Sequence, residues 1–302
     1  MIQMDDFFFQ GLCAMLFNIK KILVCSDLSN SSDNILIQSE VLRKRLSCEM
    51  DVLYVSEIGL KLDWAFEGTT RASYHDVFIK KIFSELEKKL KDQILKTSVS
   101  ARPLIYEGSP SVVINDLIIN GDTKYDLLIL GHSGHKGLFH HYLGSVARKI
   151  VSNIPLPVLI IKRNLEFNHI SCFLDVSRPI DWMVATGFDY FRILKFQKIE
   201  FVSLWIDFLE PFHKEMVASD FSQTLEEEIN YILRPNEVYQ IRVDPVRELP
   251  IAKQLARIID EDKIDLAVVK RNRGKKINKK FLGSETQRLL EMDTCNILVM
   301  PI

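Results

Sequence analysis

Short apolar runs alternate with helical patterns along this chain of 302 residues, and the alternation limits the folds open to it. In the first half the strand-like runs are residues 21–26, 51–55, 101–106, 127–130 and 158–161. Strands that alternate with helices predict a parallel sheet whose crossover connections are right-handed. The run at 127–130 is continuously apolar, as expected of a central strand that is covered on both faces.

The same order begins again at Ile170, so the chain contains an internal repeat. Strand-like runs recur at 170–175, 199–205, 237–243, 265–269 and 296–300, which places Asp175 where Asp27 stood in the first half. A repeat of this length, in a chain long enough for two domains, predicts two doubly wound, Rossmann-like α/β domains in tandem. We expect them to span 19–163 and 170–302, with a short linker between them.

Local signals bound one helix of the first half. Ser109 followed by Pro110 predicts a helix N-cap with proline at the first helical position. Gly121 predicts the C-terminal end of the same helix.

Residues 1–18 are expected to form an N-terminal extension. Asp5 and Asp6 stand where a signal peptide would carry positive charge, and the apolar stretch that includes Phe7-Phe8-Phe9 is too short to span a bilayer. The extension is either loosely packed or a docking arm that buries its phenylalanines. No membrane span is predicted.

Charge and cysteine content exclude several classes of protein. With 39 basic and 40 acidic side chains, the net charge of −1 gives no overall field that would favour nucleic acid or an anionic membrane. The five cysteines are scattered and lack any CxxC spacing, so neither a disulfide framework nor a zinc site is indicated. A reducing cytoplasm is the expected setting.

A glycine-rich segment joins the fourth apolar run to a helical pattern. It includes Gly131, Gly134 and Gly144, and Gly144 directly precedes Ser145. Glycine lets the backbone take positive φ and approach a ligand, and a helix start offers free amide donors backed by the helix dipole. The segment therefore predicts a phosphate-binding loop, although its spacing is neither that of a Walker loop nor that of the dinucleotide fingerprint.

This loop and three other landmarks occur in the order found in the universal stress protein family, and the chain resembles a tandem member of it. The other landmarks are a first strand that ends at Asp27, the segment Glu107-Gly108-Ser109-Pro110, and a last strand at 157–161. The resemblance implies binding of ATP, with AMP or ADP as alternatives and Mg²⁺ as a companion ion. By position, Asp27 and the backbone near Cys25 and Val55 would hold adenine and ribose. The phosphate side would comprise Gly131, Ser133, Gly134, Gly144, Ser145 and the amide of Val146.

Two features of the first loop leave alternatives open. Cys25-Ser26 stands where many relatives have proline and valine, which would loosen the adenine wall without touching the phosphate contacts. Asp27 either contacts the nucleoside or caps the next turn through local hydrogen bonds. The whole loop either binds nucleotide or is a vestige kept for its fold, and a Gly131→Val substitution is expected to block phosphate approach.

The loop of the second half has lost its approach glycines. Aligning Gly144-Ser145 with Gly283-Ser284 puts Lys270 opposite Gly131 and Arg273 opposite Gly134. The family's nucleotide pose is therefore not expected there. Residues 270–280 contain seven cations: Lys270, Arg271, Arg273, Lys275, Lys276, Lys279 and Lys280. These cations either hold another anion or form a solvated loop. The lack of aromatic residues between them favours the solvated loop.

The first loop contains four histidines in a stretch of ten residues, at positions 132, 135, 140 and 141. A metal site is not favoured, because no cysteine or carboxylate completes a four-ligand set. We expect these histidines to line the mouth of the loop. The chain also lacks a GxSxG elbow, so nucleophilic catalysis finds no support.

The function implied by the resemblance is that of a nucleotide-responsive stress sensor that acts through conformation and protein partners. The alternatives are a slow ATPase or adenylyl-transfer enzyme, and an interaction scaffold that binds no nucleotide. The resemblance also implies pairing of the last strands, so residues 158–161 and 297–299 are expected to meet within the chain. Either a homodimer or an intrachain pseudo-dimer would follow.

Overall fold

The structure is a computed structural model of the whole chain. It describes residues 19–58, 72–132, 144–174, 181–205, 211–247, 249–271 and 284–301. The expected N-terminal extension at 1–18 lies outside these ranges.

The first half alternates strands and helices in the predicted order. Its elements are β1 (Lys21–Cys25), α1 (Asn30–Leu46), β2 (Glu49–Ser56), α2 (Ala72–Lys96), β3 (Arg102–Glu107), α3 (Pro110–Ile119), β4 (Leu127–Gly131), α4 (Ser145–Asn153) and β5 (Val158–Ile161).

The second half repeats this order. Its elements are β6 (His169–Leu174), α5 (Asp181–Leu194), β7 (Lys198–Trp205), α6 (Pro211–Ile232), β8 (Tyr239–Pro245), α7 (Ile251–Glu261), β9 (Leu266–Lys270), α8 (Ser284–Glu291) and β10 (Asn296–Met300). Every predicted strand is present in both halves, with bounds that differ by at most two residues.

In the described part of the chain, all ten strands form one sheet in the order β3-β2-β1-β4-β5-β10-β9-β6-β7-β8. Neighbouring strands within each half are parallel, and the halves meet where β5 and β10 pair antiparallel. Side chains from α1, α2, α5 and α6 join one buried cluster, and those from α3, α4, α7 and α8 join the other. Because helices cover both faces of the sheet, the predicted doubly wound α/β class is confirmed.

The β5–β10 pairing relates the two halves by an approximate two-fold axis. Leu159 lies opposite Leu298, and these residues are 139 apart, the distance that also separates Gly144 from Gly283. Equivalent residues therefore face each other, as they do across the interface of a symmetric dimer. The expected meeting of these two strands within the chain is confirmed.

The amino edge of the sheet is built alike in both halves. Asp126 Oδ2 accepts hydrogen bonds from the amides of Lys20 and Lys21, at 2.7 and 3.0 Å. Asp265, its equivalent, accepts the same pair of bonds from the amides of residues 168 and 169, at 2.7 and 2.8 Å. The repeat thus extends to polar contacts that its sequence does not make obvious.

The linker predicted between the two halves packs against the protein. The side chains of Leu165 and Phe167 are buried in the core. The amide of Leu165 donates to Gln38 Oε1 at 2.9 Å, and the guanidinium of Arg45 lies 4.1 Å from the centre of the Phe167 ring. These contacts tie the linker to α1.

The ends of α3 fall where the sequence predicts, but for different physical reasons. Ser109 is the N-cap residue and Pro110 the first helical residue, yet the Ser109 hydroxyl makes no capping hydrogen bond. Gly121 does not adopt positive φ, and a Cβ there would overlap the carbonyl oxygen of Leu117. The glycine is therefore required by close backbone approach, not by left-handed geometry.

Within the described residues, no helix combines the length and the apolar character needed to cross a bilayer. The four described cysteines are all free thiols.

Candidate functional site

The carboxyl ends of β1 and β4 border the crevice at which the first half changes direction. The chain runs from β1 through β2 to β3 on one side and from β4 to β5 on the other. Open parallel sheets bind ligands at such a switch point, outside the carboxyl ends of the strands. Val24 pairs with Ile129, so continuing this register places Ser26 level with Gly131. The residues predicted for the adenine side and for the start of the phosphate loop are thus brought together.

Asp27 closes the turn between β1 and α1. Its Oδ1 accepts hydrogen bonds from the amide and hydroxyl of Ser29, at 3.0 and 2.5 Å, and from the hydroxyl of Ser32. Local capping, one of the two alternatives for this residue, therefore occupies Oδ1. Asp27 is exposed, and its Oδ2 accepts no hydrogen bond from the described residues. One carboxylate oxygen remains for a ligand.

A polar network that the sequence did not reveal connects the turn between β1 and α1 to helix α2. Buried Gln93 of α2 accepts a hydrogen bond from the hydroxyl of Ser26 at 2.8 Å and donates to the Ser29 carbonyl and to Asp33 Oδ1, at 3.1 and 2.8 Å. Burial raises the pKa of Asp33, but hydrogen bonds from Lys96 and Gln93 outweigh it and hold the pKa below its usual value. The one available signal was a glutamine on the buried face of an amphipathic helix.

Cys25 and Val55 provide an apolar wall on the α4 side of the sheet. Both side chains are half-buried and pack against the same core cluster as Val146. Burial raises the pKa of the Cys25 thiol to about 12, so the thiol stays neutral. A neutral thiol beside a branched aliphatic group suits a flat, weakly polar ring better than a charged one.

Gly131 ends β4, but its glycine character serves the core. Its φ is not positive, and a Cβ at this position would overlap Cδ1 of Ile35, a buried residue of α1. Gly131→Val therefore does not isolate an effect on phosphate binding, because valine would also displace the end of the Ile35 side chain between β4 and α1.

The N-terminus of α4 is open to solvent. Gly144 is the N-cap residue, with φ −53° and ψ 147°, and a Cβ there would meet nothing within 4 Å. Gly144 and Ser145 are exposed, Val146 is half-buried, and the first turn of α4 contains no acidic residue. The first amides of a helix have no intrahelical acceptors. This end of α4 can therefore receive an anion without a change in packing.

The middle of the glycine loop, including Ser133, Gly134 and the histidines at 135, 140 and 141, lies outside the described residues. His132 lies within them, and its position corrects the prediction that it lines the loop mouth. Its Nε2 donates to the carbonyl of Leu290 at 2.9 Å, and its backbone amide donates to the carbonyl of Ile161 at 3.3 Å. His132 therefore contacts the C-terminal end of α8, in the second half.

The equivalent helix start in the second half already has a carboxylate of its own. Ser284 begins α8, and Glu285 follows in the first turn. Glu285 Oε2 accepts a hydrogen bond from the amide of Ala252 at 2.8 Å. Ala252 lies in the first turn of α7, so this carboxylate binds the start of a neighbouring helix. Its place in the first turn of α8 also offsets the dipole that would otherwise attract a phosphate there.

Lys270 and Arg271, at the start of the basic loop, both lie against the protein. Lys270 Nζ lies 5.1 Å from the centre of the Trp182 ring. Arg271 is 6% exposed, and its guanidinium donates to the carbonyls of Ile154 and Val151, at 2.8 and 3.2 Å. The expectation of a solvated loop is therefore wrong at these two positions. Asp175, Gly283 and the other loop cations, from Arg273 to Lys280, lie outside the described residues.

Among the described residues, no group of three or more histidine, cysteine, aspartate or glutamate side chains is arranged to hold a metal ion.

Comparison with known proteins relates the first half of the chain to a family. The family model described as "Universal stress protein family" matches residues 18–162. A universal stress protein of Methanocaldococcus jannaschii is 27% identical over 145 residues, covering 48% of this chain and 82% of that protein. One from Synechocystis is 28% identical over 152 residues, covering 47% of this chain and 97% of that protein.

The fold of both halves has a counterpart in a solved structure. The universal stress protein of Archaeoglobus fulgidus superimposes with a TM-score of 0.66 at 15% identity, covering 94% of this chain and 99% of that one. At that identity the likeness shows the fold alone, and it is consistent with a tandem arrangement. The match to residues 18–162 identifies the first half: the chain carries a domain of the universal stress protein family.

Proposed function

We propose that the first half binds an adenine nucleotide, ATP or its diphosphate or monophosphate, in the crevice between β1 and β4. The phosphates lie against the amides of Gly144, Ser145 and Val146, at the positive end of α4. Adenine and ribose lie against Cys25 and Val55, and Asp27 Oδ2 accepts a hydrogen bond from the nucleoside.

The observation that carries this proposal is the open N-terminus of α4. It combines a glycine whose missing Cβ faces empty space, an exposed serine and a first turn without acidic residues. The second half has Glu285 in the corresponding turn. The same fold thus offers one helix start suited to an anion and one that is already complemented, so we place one nucleotide in the chain.

Two parts of the proposal rest on the loop pattern and on general chemistry. Ser133 and Gly134 complete the phosphate loop, together with Gly131. Mg²⁺ would accompany the phosphates and offset their negative charge.

Nucleotide occupancy then regulates the protein rather than feeding a reaction. We propose that bound nucleotide biases the conformation or assembly of the protein, which partners distinguish from the empty form. A slow ATPase or adenylyl-transfer enzyme would need a base at the phosphate end. A turnover assay with Mg-ATP separates that activity from regulation by binding.

Thermal unfolding with and without Mg-ATP tests the binding. Nucleotide at about a hundred times its dissociation constant stabilises the domain that binds it by about 2.7 kcal/mol. Gly144→Val should abolish that stabilisation and should cost the free protein no more than about 1 kcal/mol for the poorer N-cap residue, because the Cβ meets no neighbour. Adenosine serves as the control ligand, since it lacks the phosphates that valine would obstruct. Equal stabilisation of wild type and variant by Mg-ATP would contradict the proposal.

A further inference from the structure

Each half of the chain donates hydrogen bonds to the C-terminal end of a helix in the other half. The two helices are α4 and α8. Arg271 of the second half donates to the carbonyls of Val151 and Ile154, at the end of α4. His132 of the first half donates to the carbonyl of Leu290, at the end of α8. Each donor directly follows the fourth strand of its own half.

These contacts are related by the two-fold axis of the sheet. Arg271 lies 139 residues after His132, and Leu290 lies 139 residues after Val151. The backbone agrees, because the amide of Arg271 bonds the carbonyl of Met300 at 3.0 Å, as the amide of His132 bonds that of Ile161. One structural position thus has a cation in the second half and a histidine in the first.

Arg271 is well placed to influence the far end of α4. The helix has nine residues, so its two ends are about 13 Å apart. A guanidinium that bonds the last carbonyls fixes the helix along its axis and offsets the negative end of its dipole. Because the dipole effect is confined to the terminal turn, Arg271 influences the amides of Gly144, Ser145 and Val146 through the position of the helix.

A second contact between the halves supports the same reading. Arg148 of α4 donates to Glu291 Oε1 of α8 at 2.8 Å. Two groups of the second half, a buried arginine and a glutamate, therefore contact α4 in addition to the core that its own buried side chains join.

We propose that Arg271 is a positioning residue for the nucleotide site of the first half. The second half, whose own loop has lost its approach glycines, thereby contributes to binding in the first. This inference rests on the proposed function, because it concerns the affinity of that site. Arg271 touches α4 rather than the nucleotide, and its effect is confined to the phosphate end of the ligand.

Calorimetric titration of the full chain with Mg-ATP and with adenosine tests this role. Arg271→Met keeps much of the apolar side chain and removes the donors. We expect it to weaken ATP about fivefold or more, the usual scale of coupling between sites, and to leave adenosine affinity unchanged. Arg271→Lys retains one cationic donor and should restore part of the affinity.

Lys162→Met is the matched control. Lys162 Nζ donates to the carbonyls of Leu289 and Met292, at 3.2 and 2.5 Å, so it holds the end of α8 as Arg271 holds the end of α4. Its loss should lower stability without changing ATP affinity. Equal loss of ATP affinity in both variants, or an unchanged affinity in Arg271→Met, would overturn the role of Arg271. Wild-type protein that binds no ATP would overturn the proposed function as well.

Discussion

Gly131 and Gly144 belong to the same loop pattern, but they are glycines for different reasons. Gly131 leaves room for Ile35 in the core, whereas Gly144 leaves open space above the N-terminus of α4. In neither residue is φ positive. The loop pattern was visible in the sequence, but its two roles were not, because Ile35 lies far away in the chain.

This difference predicts opposite outcomes for two alanine substitutions. Gly131→Ala should lower the free energy of unfolding by about 1–3 kcal/mol, the usual cost of overpacking a core. Gly144→Ala should cost less than about 1 kcal/mol, the scale of a poorer N-cap residue, because its Cβ would meet no neighbour. Urea titration measures both values. A destabilised Gly144→Ala together with an unaffected Gly131→Ala would reverse the assignment of the two glycines.

Among the elements, strands β1, β2 and β3 share one buried carboxylate. Asp51 of β2 accepts hydrogen bonds from Arg102 and from the Tyr125 hydroxyl, at 2.6 and 2.7 Å, and lies 3.3 Å from Lys21 Nζ. Burial raises the pKa of Asp51, but these three partners outweigh it and hold the pKa below its usual value. The corresponding carboxylate of the second half, Glu200, lies 3.2 Å from Nε2 of His169.

The lowered pKa makes the contribution of Asp51 depend on pH in a defined direction. The folded state binds the proton less tightly than the unfolded state, so the stabilisation is complete above the unfolded pKa of about 4. It is lost as the pH falls through the lower folded value. Asp51→Asn should cost about 3 kcal/mol at pH 7, the usual scale for breaking a buried pair, and progressively less at acidic pH. Urea unfolding between pH 7 and pH 3 measures the difference.

Glu49→Gln is the control for that series. Glu49 lies on the same strand, 3.1 Å from the same Lys21 Nζ, but its side chain is 78% exposed. An exposed ion pair contributes less than about 1 kcal/mol. If Asp51→Asn were no more costly than Glu49→Gln, or if its cost did not shrink in acid, the buried carboxylate would not act as described.

The elements themselves were largely predictable from the sequence, because each strand is a local apolar run. The reasons for helix ends were less so. Gly121 follows α3 as predicted, yet close approach to the Leu117 carbonyl, not positive φ, requires it. Likewise, Gln93 could be placed on a helix but not assigned to the turn at Ser26, which is distant in the chain. The local sequence pattern predicts where an element lies, but contacts between residues distant in the chain determine which groups its side chains bind.

At the scale of the whole molecule, the repeat in the sequence corresponds to an approximate two-fold axis in one continuous sheet. The pairing of β5 with β10 was expected from the family resemblance. The burial of Arg271 was not, because its acceptors are backbone carbonyls of the other half, which leave no mark in the neighbouring sequence. The sequence therefore favoured a solvated basic loop, whereas the structure buries the cation of Arg271.

The two halves are nearly symmetric, but the first turns of α4 and α8 differ in chemistry, and this difference makes the proposed function more specific. Ser145 begins a first turn without acidic residues, whereas Ser284 is followed by Glu285. One nucleotide per chain is therefore expected, and of the two serines only Ser145 should contribute to its binding. Ser145→Ala should weaken ATP about tenfold through loss of a hydrogen bond to a charged group, while Ser284→Ala should have no effect.

The most direct measurement is the stoichiometry of Mg-ATP binding to the full chain, obtained by isothermal titration calorimetry on wild type and these two serine variants. We expect one ATP per chain, with the affinity lowered only in Ser145→Ala. No binding, two molecules per chain, or a loss of affinity confined to Ser284→Ala would contradict a single nucleotide site at the N-terminus of α4.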